Sequence, residues 1–205
     1  MYKYLLIVLF TIGAVHGQTK MNNSEANNLR SLVKAKAAKT QTITCDFVQY
    51  KHLDFLSNAI KSTGKLAFKA PNMVSWQYIS PFSYTVLFKE EKLFINDDGN
   101  KSNMDLSSNT IFTQLNQLIT ASISGDMFIS ETFDMDYFKV DEKSLVHFTP
   151  KDPQFSEFIK VFHILFSDTG EVLEVKMIEP SNDYTHIIFS NRVENQTIPH
   201  EVFTH

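Results

Sequence analysis

The stretch Gly64–Pro81, with the sequence GKLAFKAPNMVSWQYISP, decides the fold that we predict for this chain. Its first half alternates Gly64, Leu66 and Phe68 with small or lysine side chains, which is the pattern of a half-buried β-strand. Pro71 then ends the strand, because proline has no N–H group to donate to a sheet and it holds the residue before it in an extended conformation.

The second half of this stretch alternates in the same way and brings its large side chains, Val74, Trp76 and Tyr78, to one face. The two strands therefore predict a hairpin with an aromatic face that contains the only tryptophan of the chain. An ordinary half-buried sheet has the same alternation, so the pattern alone does not say what this face contacts.

The composition indicates one domain with a large apolar content. The chain has 205 residues without repeats or linkers, and its net charge of −4 gives no basic patch for a nucleic-acid partner. It contains 18 phenylalanines, and burying one such side chain contributes roughly 1.5–3 kcal/mol. So many phenylalanines indicate either an aromatic core, which is the simpler interpretation, or a surface for an apolar ligand.

The first 17 residues have the features of a secretory signal peptide. Lys3 precedes an apolar run from Tyr4 to Val15, and small residues follow up to Gly17. The run is too short to span a bilayer, and no cysteine follows it that could carry a lipid anchor. We therefore expect residues 1–17 to be removed and residues 18–205 to form a soluble exported domain. Cys45, the only cysteine, lies in an alternating segment and is predicted to be a buried thiol.

The rest of the chain predicts an α+β fold with an antiparallel sheet. A capped amphipathic helix is expected over residues 22–39. Short turn sequences separate the later strands, which makes neighbours antiparallel. Strands are predicted over residues 42–51, 84–89, 92–96, 136–140, 144–149, 158–166, 171–179, 184–190 and 200–203. A sheet of this length has to curl, and the helices would then cover its concave apolar face.

The segment Leu106–Gly125 has no charged residue and predicts a second helix. Its apolar residues recur at helical spacing, namely Ile111, Phe112, Leu115, Leu118 and Ile119. This helix either covers the core permanently or acts as a lid that lifts from the sheet.

No motif for catalysis or for metal binding is present. The histidines lack metal-ligand spacing, and nucleophile-elbow, P-loop and dinucleotide patterns are missing, so we expect no catalytic residue, no metal, no cofactor and no enzyme activity. His163 and His186 lie in alternating strands and are interpreted as hydrogen-bonded sheet residues. Acidic side chains from distant segments could still converge in the fold, which leaves a secreted enzyme as an alternative.

A series of short motifs runs along nearly the whole exported chain. In chain order they are Phe47-Val48-Gln49, Gly64-x-Leu66-x-Phe68-Lys69-Ala70-Pro71-Asn72 with Trp76 four residues further on, Pro81, Leu93, the strand Leu145–Pro150 and the hairpin Phe162–Glu179 with Asp168-x-Gly170. In this order the motifs resemble the periplasmic outer-membrane lipoprotein carrier family, LolA. The resemblance implies a single-domain incomplete antiparallel β-barrel with helices as a lid over an apolar cavity.

The resemblance also implies a function without covalent chemistry. A soluble periplasmic carrier of this kind, expected to be a monomer, receives acylated lipoproteins from an inner-membrane release complex and passes them to an outer-membrane receptor. Trp76 matches the cavity tryptophan of the family. Together with strand alternation, it places the acyl-chain cavity at Leu66, Phe68, Val74, Trp76, Tyr78, Val86 and Phe88, and the inner face of the lid helix at Ile111, Phe112, Leu115, Leu118 and Ile119.

One position departs from the family pattern. The family typically has an arginine just before the proline, where it hydrogen-bonds the lid closed, and this chain has Ala70 at this latch position. We therefore predict that closure relies on apolar packing of the 111–123 helix. A related periplasmic module of the same fold that binds another lipid or a glycolipid, or that senses lipoproteins, remains the alternative function.

Overall fold

The computed structural model describes residues 17–106, 121 and 125–205. These residues form twelve strands, two α-helices and one short 3-10 helix. The helices are α1 (Asn23–Ala37), α2 (Pro153–Ser156) and the 3-10 helix His200–Phe203. The strands are β1 (Thr19–Lys20), β2 (Thr42–His52), β3 (Ile60–Lys69), β4 (Met73–Ser80), β5 (Tyr84–Lys89), β6 (Lys92–Asp97), β7 (Asn100–Asp105), β8 (Phe133–Val140), β9 (Lys143–Pro150), β10 (Val161–Phe166), β11 (Val172–Ile178) and β12 (Tyr184–Glu194).

All twelve strands belong to one open antiparallel sheet in the order β1-β8-β9-β10-β11-β12-β2-β3-β4-β5-β6-β7. The two halves of the chain each form a meander, and the long pairing of β12 with β2, from Tyr184 opposite His52 to Glu194 opposite Ile43, joins them. Because β1 and β7 are the two edges, the sheet does not close into a barrel. This result confirms the predicted incomplete antiparallel architecture.

Helix α1 begins with a capping box, in which Asn22 and Glu25 each accept a hydrogen bond from the backbone N–H group of the other. Its buried residues, Ala26, Leu29 and Val33, belong to one core cluster with side chains of β8, β9 and β10. The helix therefore covers one face of that half of the sheet, which we call the inner face.

The hairpin of β3 and β4 has the predicted faces. Leu66 lies opposite Trp76 and Phe68 lies opposite Val74, and all four side chains belong to one buried cluster on the inner face. Ala67 points to the other side, the outer face, where it packs with Phe203.

Several parts of the chain differ from the predicted elements: β8 begins at Phe133 instead of residue 136, β12 ends at Glu194 instead of residue 190, and α2 was not predicted. Residues 200–203 form a 3-10 helix instead of a strand, because Pro199 has no N–H group and the later amides bond locally, Val202 N–H to Pro199 O and Thr204 N–H to Glu201 O. Strand β10 begins at Val161 and not at residue 158 as predicted, since α2 ends in a turn in which Ile159 N–H donates to Phe155 O.

The edge strands β1 and β7 were not predicted either. β1 has two residues, and every side chain of β7 is exposed, so neither strand has an alternating pattern to detect. The predicted lid helix lies outside the described residues, and a second helix over the sheet therefore stays a prediction. None of the described helices has the length and apolar character needed to cross a membrane.

Candidate functional site

A cavity of about 300 Å³ lies between the C-terminal half of α1 and the inner face of the sheet. Val33 and Ala37 of α1 form one side, and apolar residues from β2 to β5 and from β10 to β12 form the other. The cavity therefore lies where the two meanders meet, on both sides of the β12–β2 pairing.

Five of the seven residues predicted for an acyl-chain cavity line this space: Leu66, Trp76, Tyr78, Val86 and Phe88. The other two, Phe68 and Val74, lie in the same buried cluster beside the cavity, together with Leu93 and Leu106, and are not part of its wall. They are the inner-face pair nearest the turn of the hairpin, and they pack in the core beside the cavity.

Aromatic contacts order the wall at Trp76. The ring of Phe47 lies 5.0 Å from the rings of both Trp76 and Tyr78 in edge-on contacts, and Tyr78 stacks on Tyr84 at 4.3 Å between ring centroids. The hydroxyl of Tyr78 donates to Gln49 Oε1 at 3.0 Å, so its polar atom has a partner. Burial raises the pKa of Tyr78 well above its usual range, and the hydroxyl stays neutral.

The other half of the wall comes from residues that the sequence analysis did not assign. These are apolar side chains of β10 to β12, namely Phe162, Val172, Val175, Met177, Ile187 and Phe189. Their alternation is visible in the sequence, but it does not distinguish a wall residue from any other half-buried residue.

A charged cluster lies at the end of the cavity wall. Lys36 Nζ of α1 lies 2.7 Å from Glu171 Oε1 and 2.9 Å from Glu194 Oε2. Arg192 Nε donates to Glu194 Oε1 at 2.7 Å. The hydrogen bond with Glu171 raises the pKa of Lys36. Burial alone would raise the pKa of Glu194, but its bonds to Lys36 and Arg192 lower that pKa overall, so Lys36 and Glu194 are both charged at neutral pH.

A bulge in β12 explains the position of Arg192. The register with β2 shifts between Ser190 and Val193, and Asn191 adopts a left-handed conformation with a φ of 53°. Asn191 therefore bonds to Asp46 Oδ2 at the surface, whereas Arg192 lines the cavity. The sequence offers no local signal for this bulge.

Cys45 is a free, buried cysteine on the cavity wall, as predicted for a strand thiol. Burial raises the pKa of Cys45 to about 11, while the nearby charge of Arg192 acts in the opposite direction. The thiol is thus protonated at neutral pH and is a poor nucleophile.

Ala70, at the predicted latch position, offers only its backbone, whose N–H group donates to Gln41 O at 2.9 Å. The cations on the cavity wall are instead Lys36 and Arg192. The predicted contacts of the lid helix involve residues outside the described part of the chain.

The histidines of the sheet lie on the outer face. His186 Nε2 bonds to Glu174 Oε2 at 2.8 Å, in agreement with its interpretation as a hydrogen-bonded sheet residue. His163 instead stacks on His147 with 3.7 Å between ring centroids. Within the described residues, no group of three or more histidine, cysteine or acidic side chains is placed to hold a metal ion.

Three of the solved structures that are similar to this chain have very low sequence identity to it. A LolA superfamily protein from Nitrosomonas europaea matches with 11% identity and a TM-score of 0.47, covering 88% of this chain and 97% of that one. The MucA/MucB complex of Pseudomonas aeruginosa matches with 10% identity and a TM-score of 0.49, over 88% of this chain and 61% of that one. The lipoprotein LppX from Mycobacterium tuberculosis matches with 9% identity and a TM-score of 0.47, over 87% of this chain and all of that one.

No curated protein matches the chain at the level of sequence. The sequence model of one family, described as outer membrane lipoprotein carrier protein LolA, matches residues 38–205. This match covers most of the chain, from the end of α1 through the whole cavity wall of the sheet, and it confirms the resemblance seen in the motifs. The chain therefore belongs to the LolA family of outer membrane lipoprotein carrier proteins.

Proposed function

We propose that this protein is a soluble periplasmic carrier that holds the acyl chains of lipoproteins in the cavity beneath α1. The observation that carries the proposal is the cavity itself, with a wall formed mostly by apolar side chains around Trp76. A ligand made of hydrocarbon chains matches such a wall, because burial of apolar surface is the main favourable contribution.

The physics of acyl chains explains why such a carrier is needed. Each buried CH₂ group contributes roughly 0.8 kcal/mol, so a protein with two or more acyl chains stays anchored in a membrane. Transfer through water therefore requires an apolar host. We infer that the carrier receives its cargo from an inner-membrane release complex and delivers it to an outer-membrane receptor. It acts as a monomer, and no covalent step, metal or cofactor is part of this function.

The size of the cavity implies a change on loading. Its volume of about 300 Å³ lies at the lower end of the roughly 300–1,000 Å³ found for sites that hold one small ligand. Three acyl chains need more space, so we infer that α1 moves away from the sheet when a lipoprotein binds. The same small volume favours the second candidate, a carrier of a single-chain lipid or a glycolipid with the same fold.

Native mass spectrometry of the protein isolated from its host would test the proposal. The expected result is a bound species with the mass of a triacylated lipoprotein. Val86→Glu, which puts a charge on the cavity wall, should abolish this species. Ile79→Glu is the matched control, because Ile79 is half-exposed on the other face of the neighbouring strand β4.

Three outcomes separate the candidates. Bound lipoprotein in the wild type and the control, but not in Val86→Glu, supports the carrier. Bound single-chain lipid or glycolipid without lipoprotein supports the second candidate. A folded protein that is empty, and that also leaves Trp76 fluorescence unchanged on titration with a synthetic triacylated lipopeptide, contradicts both.

A further inference from the structure

The cavity wall is mostly apolar, and the two cations among its residues lie together at one end. Lys36 comes from α1 and Arg192 from the bulge of β12. Glu171 and Glu194 hold these cations from behind, at distances of 2.7–2.9 Å, and neither carboxylate is part of the wall. A ligand in the cavity therefore meets hydrogen-bond donors with anions immediately behind them.

The charges of this cluster balance one another. Two cations, Lys36 and Arg192, face two carboxylates, and the segment 107–124 contains no charged residue in its sequence. The side chains of Glu171 and Glu194 are only 29% and 20% exposed, so water screens their charges weakly. The end of the cavity is thus polar, but it has no excess positive charge to attract an anion.

Arg192 still has donors for a ligand. A guanidinium group carries five N–H donors. Among the described residues, its hydrogen-bond partner is Glu194, which accepts from Nε. The Nη1 and Nη2 groups can therefore donate to an oxygen that enters the cavity end. A carbonyl oxygen of an ester or an amide accepts such a bond without bringing a charge.

An anionic head group fits this end poorly. A carboxylate would lose its hydration and would place a third negative charge beside Glu171 and Glu194. It could accept from Nη1 or Nη2, but it would then share the single positive charge of Arg192 with Glu194, which already accepts from Nε. A carboxylate therefore gains little from these cations, whereas a neutral carbonyl group keeps its full hydrogen bond.

We propose that this cavity selects neutral acyl esters and amides over acyl anions of the same chain length, with Arg192 as the donor and with Glu171 and Glu194 as the residues that exclude anions. The inference rests on the proposed function, since it requires that acyl chains enter the cavity. It adds the chemical class of the group at the head of the chain, which the apolar wall alone does not specify.

A pair of ligands with identical chains tests this selectivity. Monoolein is a neutral ester and oleate is an anion, and both can be titrated at pH 8, below their aggregation concentrations, against residues 18–205. The fluorescence of Trp76, the only tryptophan and a wall residue, reports binding directly. We expect the Kd of monoolein to be at least about tenfold lower than that of oleate.

Two sets of variants separate the roles of the charges. Glu171→Gln combined with Glu194→Gln should lower the Kd of oleate by about tenfold and change that of monoolein by less than about threefold. Glu174→Gln is the matched control, because this carboxylate bonds to His186 on the outer face and should leave both values unchanged. Arg192→Met should raise the Kd of monoolein about fivefold and leave that of 1-octadecene, which has no acceptor, unchanged.

The outcomes distinguish this inference from the function on which it rests. Oleate that binds the wild type as tightly as monoolein overturns the selectivity and leaves acyl binding in place. A wild-type preference that persists in the Glu171→Gln, Glu194→Gln protein overturns the role of the carboxylates. If that protein does not fold, Glu171→Gln alone should still lower the Kd of oleate. A folded wild type that binds none of the three ligands contradicts acyl binding itself.

Discussion

The ring of Phe47 occupies the space that a side chain at Gly64 would need. The two residues are partners across β2 and β3, and a Cβ atom built on Gly64 would lie 2.6 Å from the Phe47 ring and 2.1 Å from Gln77 O. Phe47 is 1% exposed, and its ring reaches over the glycine to contact both Trp76 and Tyr78. Gly64 thus allows the aromatic wall of the cavity to form.

Gly64→Ala should destabilise the protein by about 2–4 kcal/mol, because the methyl group forces either Phe47 or the backbone of β4 to move. Urea unfolding followed by Trp76 fluorescence measures this change. Gly99→Ala is a suitable control, since Gly99 has a φ of 91° but open space around it, and should cost only about 1 kcal/mol. If Gly64→Ala and Gly99→Ala lose the same free energy of unfolding, the close contact between position 64 and the Phe47 ring is unimportant for stability.

Lys36→Met should weaken the attachment of α1 to the sheet. The substitution removes both ion pairs and leaves Glu171 and Glu194 without Lys36, so we expect a loss of about 1–2 kcal/mol. Hydrogen exchange of the α1 amides should become faster, because these two ion pairs hold the C-terminal half of the helix on the sheet. Lys34→Met, at an exposed position of the same helix, should change neither property. Unchanged exchange in α1 would argue against a holding role for Lys36.

The thiol of Cys45 should react slowly with alkylating reagents at neutral pH. Since its pKa is about 11, the thiolate fraction should rise about tenfold for each pH unit between 8 and 10. Intact-mass measurement of iodoacetamide labelling gives the rate, and no other cysteine interferes. Monoolein should slow labelling further, because Cys45 lines the cavity. A rate that levels off near pH 9 would mean that the thiol has an ordinary pKa.

Acid should destabilise the fold through His163. Burial, followed by the charges of His147 and Lys176, lowers the pKa of His163 from 6.5 to about 4. The unfolded chain thus binds a proton that the folded protein does not, so stability present above pH 6.5 is lost as the pH falls towards 4. Asp136 opposes this effect at His147, whose pKa is lowered mainly by burial.

The measurement is the free energy of unfolding at pH 7.5 and pH 4.5. Between these two pH values, the wild type should lose on the order of 1–2 kcal/mol more of its free energy of unfolding than the His163→Gln variant. This loss is smaller than the full pKa shift would give, because the ring is partly solvated. His200→Gln, at an exposed residue, should behave as the wild type. The idea is wrong if the His163→Gln protein loses as much stability in acid as the wild type.

Most of the sheet could be predicted because its signals are local. The bounds of β5 agree with the prediction, the hairpin of β3 and β4 has the predicted inner face, and the predicted capped helix is present as α1, with Asn22 as its cap. Elements without such a signal were missed, as β7 shows, since all its side chains are exposed. The 3-10 helix was wrongly predicted as a strand, because Pro199 cannot donate to a sheet and the amides that follow it bond locally, while Phe203 packs against the outer face.

The sequence by itself determined most of the strands, the faces of the β3–β4 hairpin, the aromatic character around Trp76 and the family, because strand alternation, caps and short motifs depend on neighbouring residues. Only the tertiary structure decided that β10 to β12 complete the cavity and that Lys36 meets Glu171, a residue 135 positions away in the chain. The physical reason is that the register of the whole sheet, including the bulge before Arg192, sets which distant side chains come together. Attraction between opposite charges does not depend on separation in the sequence, so no local pattern encodes such a pair.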